Sequence, residues 1–155
     1  MEPERELRVA ASQLERAPGQ VPATIGRVTT TPQTLTPAEA AERSGFSLDT
    51  LRYYERIGLL TGIARAAGGH RRFTDDDLAW LGVLRCLRDT GMPIADMRRY
   101  ASLGRAGNSP ENLAERIQLL ERHDAAVAEQ IALLRSQRQH LHEKIAFYRK
   151  ELGQK

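Results

Sequence analysis

The sequence predicts an all-α fold with a small β wing: two short helices joined by a tight turn, then a hairpin, and at the C-terminal end one long helix that self-associates. Three observations carry that expectation. Thr50 to Leu60, read as TLRYYERIGLL, sets a polar face of two arginines and two tyrosines against an apolar face closing on Gly-Leu-Leu. A Gly- and Ala-rich stretch, Gly62 to Gly69, runs directly into His70-Arg71-Arg72-Phe73. From Leu113 to Leu152 apolar residues recur at alternating steps of four and three.

Composition bounds the same picture. With 155 residues, 5% aromatics and 28% charged residues, the chain suits a small domain joined to a long helix rather than a large globular core. The net charge is +3, but five arginines (Arg52, Arg56, Arg65, Arg71, Arg72) face a single acid, Glu55, between residues 50 and 73. That local excess of four positive charges points to a polyanionic partner for this window. No apolar run approaches the roughly 20 residues that cross a bilayer, and the N-terminus lacks the apolar centre of a signal peptide, so a cytoplasmic protein with no membrane partner is expected. A single cysteine, Cys86, excludes an intrachain disulfide and any multi-thiolate metal site within one chain.

Taken in order, residues 1–34 mix charges with Ala, Pro, Gly, Gln and Thr and are expected to form a disordered N-terminal extension. Thr36-Pro37-Ala38-Glu39 is a capping box with proline at the first helical position, and Gly45 stands where the chain must turn. Ser47 then caps a second helix with Asp49 in its first turn, and Gly58 is placed to end it in a left-handed conformation. Two short helices joined by Gly45-Phe46 form a helix-turn-helix pattern, with Leu51 and Tyr54 facing inward. The flexible tip between Ile63 and Phe73 reads as a hairpin, or wing.

Thr74 before Asp75, Asp76 and Asp77 starts the next helix, because three carboxylates meet the positive end of its dipole. Leu78, Leu81, Leu84, Val83 and Leu87 give it a core-facing stripe, and Gly91 ends it. A further helix runs from Met92-Pro93-Ile94 to about Leu103, with Ile94, Met97 and Tyr100 inward. Residues 105–109 are a linker. Ser109-Pro110-Glu111 caps the longest element, residues 110–152, whose seam includes Leu113, Ile117, Leu120, Val127, Ile131, Leu134, Leu141 and Ile145. The helix should reach roughly 60 Å. Such a stripe has nothing in its own chain to bury against, so a homodimer is expected, with Asp124 and Arg138 as register-fixing interruptions.

These features together resemble the MerR family of bacterial transcription regulators. TLRYYERIGLL is similar to the family's recognition-helix signature, GHRRF to its wing signature, and the dimerising helix follows at the expected place. The resemblance implies a winged helix-turn-helix DNA-binding domain over residues 35–104 and an antiparallel coiled-coil dimer through residues 110–152. It also implies a double-stranded operator inside a promoter, distorted by the activated dimer, and RNA polymerase reached indirectly through the DNA. Thr50, Arg52 and Tyr53 fall on family positions that touch DNA, and Arg56 is a further candidate. In the wing, Arg71 matches the family arginine, His70 and Arg72 flank it, and Phe73 stands where tyrosine is usual, keeping the ring and losing the hydroxyl.

The resemblance also bears on what is sensed. Family members that sense metals or carry iron–sulfur clusters use several cysteines, and drug-binding members add a C-terminal domain, whereas this sequence has Cys86 alone and ends at Lys155. RCLRDTGMPIADM, Arg85 to Met97, looks similar to an aldehyde-responsive, AdhR-like branch with one cysteine in the helix after the wing. A thiolate is the reactive form, and Arg85 and Arg88 would favour it. The other reading of Cys86 is a small buried filler. His123, His140 and His142 are read as a solvated face, since His140 and His142 are two apart and diverge on a helix. No metal and no cofactor is expected, and no His or Asp is spaced to serve Cys86 as a base, so an enzyme is not expected. Two alternatives stay open: a MerR-like repressor or activator with a different effector or none, and an architectural DNA-binding accessory protein.

Overall fold

A computed structural model describes residues 33–154. The expected N-terminal extension lies, but for its last residues, outside the described part. The elements are α1 (Pro37–Ser44), α2 (Leu48–Arg56), β1 (Ala64–Arg65), β2 (Arg71–Arg72), α3 (Asp75–Asp89), α4 (Ile94–Arg105) and α5 (Pro110–Gly153). The described residues divide into two units, one ending at Arg116 and one beginning at Ile117.

Local chemistry sets the helix ends. Thr36 accepts from the Glu39 N–H at 3.3 Å while Glu39 Oε2 accepts from the Thr36 N–H at 2.8 Å, a reciprocal cap on α1. The backbone hydrogen bond from Thr36 holds the Glu39 carboxyl below its usual range. Thr74 and Asp77 repeat the arrangement at α3, Ser47 caps α2 by accepting from the Thr50 N–H, and Ser109 accepts from the Asn112 N–H at the start of α5. Gly45, at φ +73°, closes α1 by donating to the Ala41 carbonyl. A side chain there would also collide, because a Cβ would lie 1.5 Å from Arg85 Nη1.

The wing is a two-stranded antiparallel hairpin pairing Ala64 with Arg72 and Arg65 with Arg71. A tight turn closes it, with the Gly69 N–H donating to the Ala66 carbonyl and Arg65 Nη1 donating to the Gly69 carbonyl. An isolated bridge, not expected from the sequence, joins Leu35 to Phe73 through two backbone hydrogen bonds of 2.8 and 2.9 Å. It fastens the segment before α1 to the base of the wing, and Phe73 enters the core there.

The core of the first unit is built from Phe46, Leu51, Tyr54, Leu59, Leu60, Phe73, Leu81, Leu84, Leu87, Met97 and Leu103. On α3 the buried stripe is Leu81, Leu84 and Leu87, with Leu78 and Val83 half-buried. Two expectations are corrected. Ile94 is 43% exposed rather than inward, because it opens α4 and the buried position at that end is taken by Met92. Helix α4 also runs to Arg105, two residues beyond the expected end. The second unit is the remainder of α5, a 44-residue helix that at 1.5 Å per residue is roughly 66 Å long. Within the described chain Leu113, Ile117, Leu120, Ile131, Leu134, Leu141 and Ile145 are exposed and Val127 is half-buried. Among the described residues no helix is long and apolar enough to cross a membrane.

Candidate nucleic-acid interface

Helix α2 is amphipathic in the sense its sequence requires. Leu51 and Tyr54 are buried, and Tyr54 meets Phe46 edge-on at 5.2 Å, which seats the helix on the domain. Burial pushes the Tyr54 hydroxyl above its ordinary range, so it stays protonated. The opposite face presents Arg52, Tyr53 and Arg56. Arg52 forms an ion pair to Asp49 at 3.6 Å, with 66% of its side chain exposed. Tyr53 is 40% exposed, and Arg56 lies over its ring at 5.4 Å. Thr50 is half-buried and shares a hydrogen bond of 2.9 Å with the Ser47 hydroxyl. The arginines thus stand at the surface with donors available to an incoming anion, as base and phosphate contacts demand.

The wing is tied to this helix by one contact the sequence did not reveal. Arg71 Nε donates to Glu55 Oε2 at 2.6 Å, with the two side chains only 32% and 27% exposed. Glu55, the lone acid of the basic window, therefore fixes β2 against α2. Arg71 is consequently a structural fastener as well as a basic group beside the helix, and the ion pair engages its Nε. Arg72 is half-buried, and His70 is exposed in the turn.

The C-terminal end of α2 is held by two more donors that sequence reasoning missed. Trp80 Nε1 donates to the Leu59 carbonyl at 2.8 Å, and Arg105 Nη1 donates to the Gly58 carbonyl at 2.7 Å. Gly58 is left-handed, at φ +82°. The turn before α2 is held from α3: Arg85 Nη1 donates to the Ser44 carbonyl at 2.9 Å, and the Arg88 guanidinium lies 4.5 Å from the Phe46 ring centre. Both arginines also reach Asp89, whose carboxyl is kept below its usual range first by the Arg88 hydrogen bond and then by Arg85. Arg85 and Arg88 are the two arginines of α3, and nothing in their spacing marks Ser44 or Phe46 as the partners.

Cys86 sits on α3 between these two arginines. It is exposed, so within the described chain it is not the buried filler that one reading expected. Its neighbours Arg85 and Arg88 are committed to Ser44, Asp89 and Phe46 rather than gathered on the sulfur. The Thr90 hydroxyl donates to the Cys86 carbonyl at 2.6 Å. Among the described residues no group of three or more His, Cys, Asp or Glu is arranged to hold a metal ion.

An amphipathic second helix with a basic outer face, a preceding helix set by a left-handed glycine turn, and a basic hairpin clamped against it define a winged helix-turn-helix DNA-binding domain. Comparison with known proteins makes the class specific. Residues 35–103 match the family described as MerR HTH family regulatory protein, and residues 78–144 match the one described as MerR, DNA binding. An uncharacterized HTH-type transcriptional regulator of Haemophilus influenzae is 44% identical over 117 residues, covering 76% of this chain and 85% of that protein. The chain belongs to the MerR family and is a MerR-type DNA-binding transcription regulator. The crystal structure of HiNmlR, a MerR family regulator lacking the sensor domain, bound to promoter DNA, is similar with a TM-score of 0.69 and 43% identity, covering 76% of this chain and 92% of that one. The regulator AdhR of Bacillus subtilis is a more distant relative, 34% identical over 71 residues that span 46% of this chain and 51% of that protein.

Proposed function

We propose that two copies of this chain pair through α5 in an antiparallel coiled coil and place their α2 helices in successive major grooves of a pseudo-palindromic promoter operator. Thr50, Arg52, Tyr53 and Arg56 meet the groove, and His70, Arg71 and Arg72 meet the flanking backbone. The observation that carries the reading is the exposed face of Arg52, Tyr53 and Arg56 on a helix clamped to a basic wing. The promoter DNA bound by HiNmlR, at 43% identity, supports it. So do the seam residues of α5, whose apolar side chains stand exposed in one chain. Distortion of the operator then controls RNA polymerase through the DNA alone.

The sensing step belongs to Cys86. Addition of its thiol across the carbonyl of an aldehyde forms a carbon–sulfur bond, opens the C=O double bond and leaves the proton on oxygen, giving a hemithioacetal. The exposure of the sulfur on α3, beside two arginines that hold the helix-turn-helix, supports that assignment. A second reading, with another effector or none, is favoured by the commitment of Arg85 and Arg88 to partners other than the sulfur.

One experiment separates these. A reporter on the native promoter is challenged with aldehydes, quinones, peroxide and metals, in the wild type and in Cys86→Ser. Electrophile induction that Cys86→Ser abolishes supports sensing at the thiol, and induction that survives the substitution overturns it. Binding itself is measured with a duplex that the wild-type protein selects from a random-sequence pool. Arg52→Ala should abolish that binding while leaving the dimer intact, and unchanged affinity refutes the assigned DNA face.

A further inference from the structure

Three side chains from three helices form a column that ends on the backbone just after the recognition helix. The Leu59 and Leu60 N–H groups both donate to the Tyr54 carbonyl of α2, at 2.8 and 3.1 Å, so this turn is hydrogen-bonded directly to the helix end. Leu59 in turn receives the indole N–H of Trp80 on α3. The Trp80 ring stacks on Tyr100 of α4, with centroids 6.0 Å apart and planes inclined by 13°. The Arg116 guanidinium lies 5.3 Å from the Tyr100 centroid, and its Nη1 donates to Asn108 Oδ1 at 3.2 Å. Arg116 belongs to the second turn of α5, which Arg99 of α4 also grips through a two-pronged pair with Glu115 at 2.5 and 2.7 Å.

The chemistry of the column is not what stability alone would select. Arg116 is only 8% exposed, and among the described residues its charge is met by a ring face and an amide oxygen rather than a carboxylate. Burying a guanidinium on those terms costs more desolvation than an apolar side chain of the same length, so its position calls for another role. A cation is drawn over the ring face and stacked rings hold a preferred offset, so Arg116, Tyr100 and Trp80 form a continuous path of directional contacts from the second turn of α5 to the Leu59 carbonyl.

We propose that Trp80, Tyr100 and Arg116 are positioning residues for DNA recognition, through which the first turns of α5 set the pose of α2. The proposal rests on the assignment of α2 as the DNA-reading helix. Their contacts lead to the Leu59 carbonyl rather than to Arg52, Tyr53 or Arg56. Substitutions along such a column change coupling by roughly two- to thirtyfold in affinity.

The test uses the full chain and the selected duplex described above, with affinity read by anisotropy, dimer by sedimentation and folding by circular dichroism. Arg116→Met keeps the length and apolar stem and deletes the cation, whereas Arg116→Lys keeps a cation above Tyr100. We expect Arg116→Met to remain folded and dimeric and to bind at least about fivefold more weakly, within the range such couplings show, with Arg116→Lys recovering most of that loss. Trp80 is the only tryptophan of the chain, so its emission reports the column directly. It should change when the wild type binds the duplex, and that change should be lost in Arg116→Met. Wild-type affinity in folded Arg116→Met, or no rescue by Arg116→Lys, overturns the proposal. If Arg116→Met does not fold, the wild-type emission decides: a change on adding duplex supports the column and its absence overturns it. Failure of the wild type to select any duplex, or retained binding in Arg52→Ala, instead refutes the assignment of α2.

Discussion

Replacing Gly45 by alanine should cost more than the same change at Gly58, and the difference isolates one contact. Both glycines are left-handed, at φ +73° and +82°. Placing a Cβ in that conformation costs about 1–2 kcal/mol at either site. At Gly58 the added carbon meets no heavy atom within 4 Å, so the backbone cost stands alone. At Gly45 it would lie 1.5 Å from Arg85 Nη1 and 2.6 Å from Arg85 Cζ, so the guanidinium must leave and its hydrogen bond to the Ser44 carbonyl is lost. A bond from a charged donor contributes about 1.5–3 kcal/mol when shielded. The Arg85 side chain is 46% exposed, so water replaces part of it and about 1 kcal/mol is the expected loss. Gly45→Ala should therefore destabilise by about 2–3 kcal/mol, lowering the melting temperature by roughly 10–20 °C for a domain of this size. Gly58→Ala should lower it by roughly half as much. Urea titration of both variants, repeated in an Arg85→Ala background, measures the pair as a double-mutant cycle. The excess at Gly45 should vanish without Arg85. Equal costs for the two glycines, or an excess that persists in Arg85→Ala, would show that the arginine does not hold this turn.

Three other outcomes are expected. Arg71→Gln should lower the melting temperature by a few degrees through loss of the Glu55 pair and flatten the log–log salt dependence of operator binding by about 0.9; an unchanged slope would leave Arg71 with the intramolecular role only. Because the folded Asp89 carboxyl lies below its unfolded value, its contribution to stability is full above the ordinary aspartate range and is lost as pH falls below about 4 and through the folded value. The stability gap between wild type and Asp89→Asn, read by urea titration at pH 7 and pH 3, should accordingly narrow at the lower pH, and a constant gap would contradict the assignment. Leu134→Asp, placing a charge on the exposed seam of α5, should convert a sedimenting dimer to monomer while the melting of the first unit is retained; a dimer that persists would move the pairing surface elsewhere.

What the sequence disclosed and what it hid divide by distance along the chain. The caps at Thr36, Ser47, Thr74 and Ser109 were legible because each is a three-residue rule between a hydroxyl and a backbone N–H. The turns at Gly45, Gly58 and Gly91 were legible because a left-handed residue after a helix is nearly always glycine, and all three have positive φ. The long apolar period of α5 announced one helix, and one helix runs from Pro110 to Gly153. The Leu35–Phe73 bridge, the Arg85 bond to Ser44, the Trp80 bond to Leu59 and the Arg105 bond to Gly58 join residues 38, 41, 21 and 47 positions apart. In each the acceptor is a backbone carbonyl, which every residue possesses, so no residue type at the receiving end marks the contact. Ile94 was misplaced for a related reason: period three extends it from Met97 onto the buried face, but periodicity does not say where along a helix the packing surface stops.

Those illegible contacts give α2, the helix proposed to read DNA, its orientation. Helix α2 has nine residues, too few to be stable in isolation. Its pose is therefore set by what grips it: Arg71 of the wing at Glu55, Arg105 of α4 at Gly58, Trp80 of α3 at Leu59, and the buried rings of Tyr54 and Phe46 beneath. At about 1 kcal/mol for each such bond, the three polar contacts together come to a few kcal/mol. Bending an operator also costs a few kcal/mol. In the proposed reading the regulator deforms its site, and a helix held less firmly would rotate to relieve that strain and leave the DNA straight. The contacts come from the wing, α3 and α4, so in that reading a change in the packing of any one of these elements alters how far the bound DNA is bent.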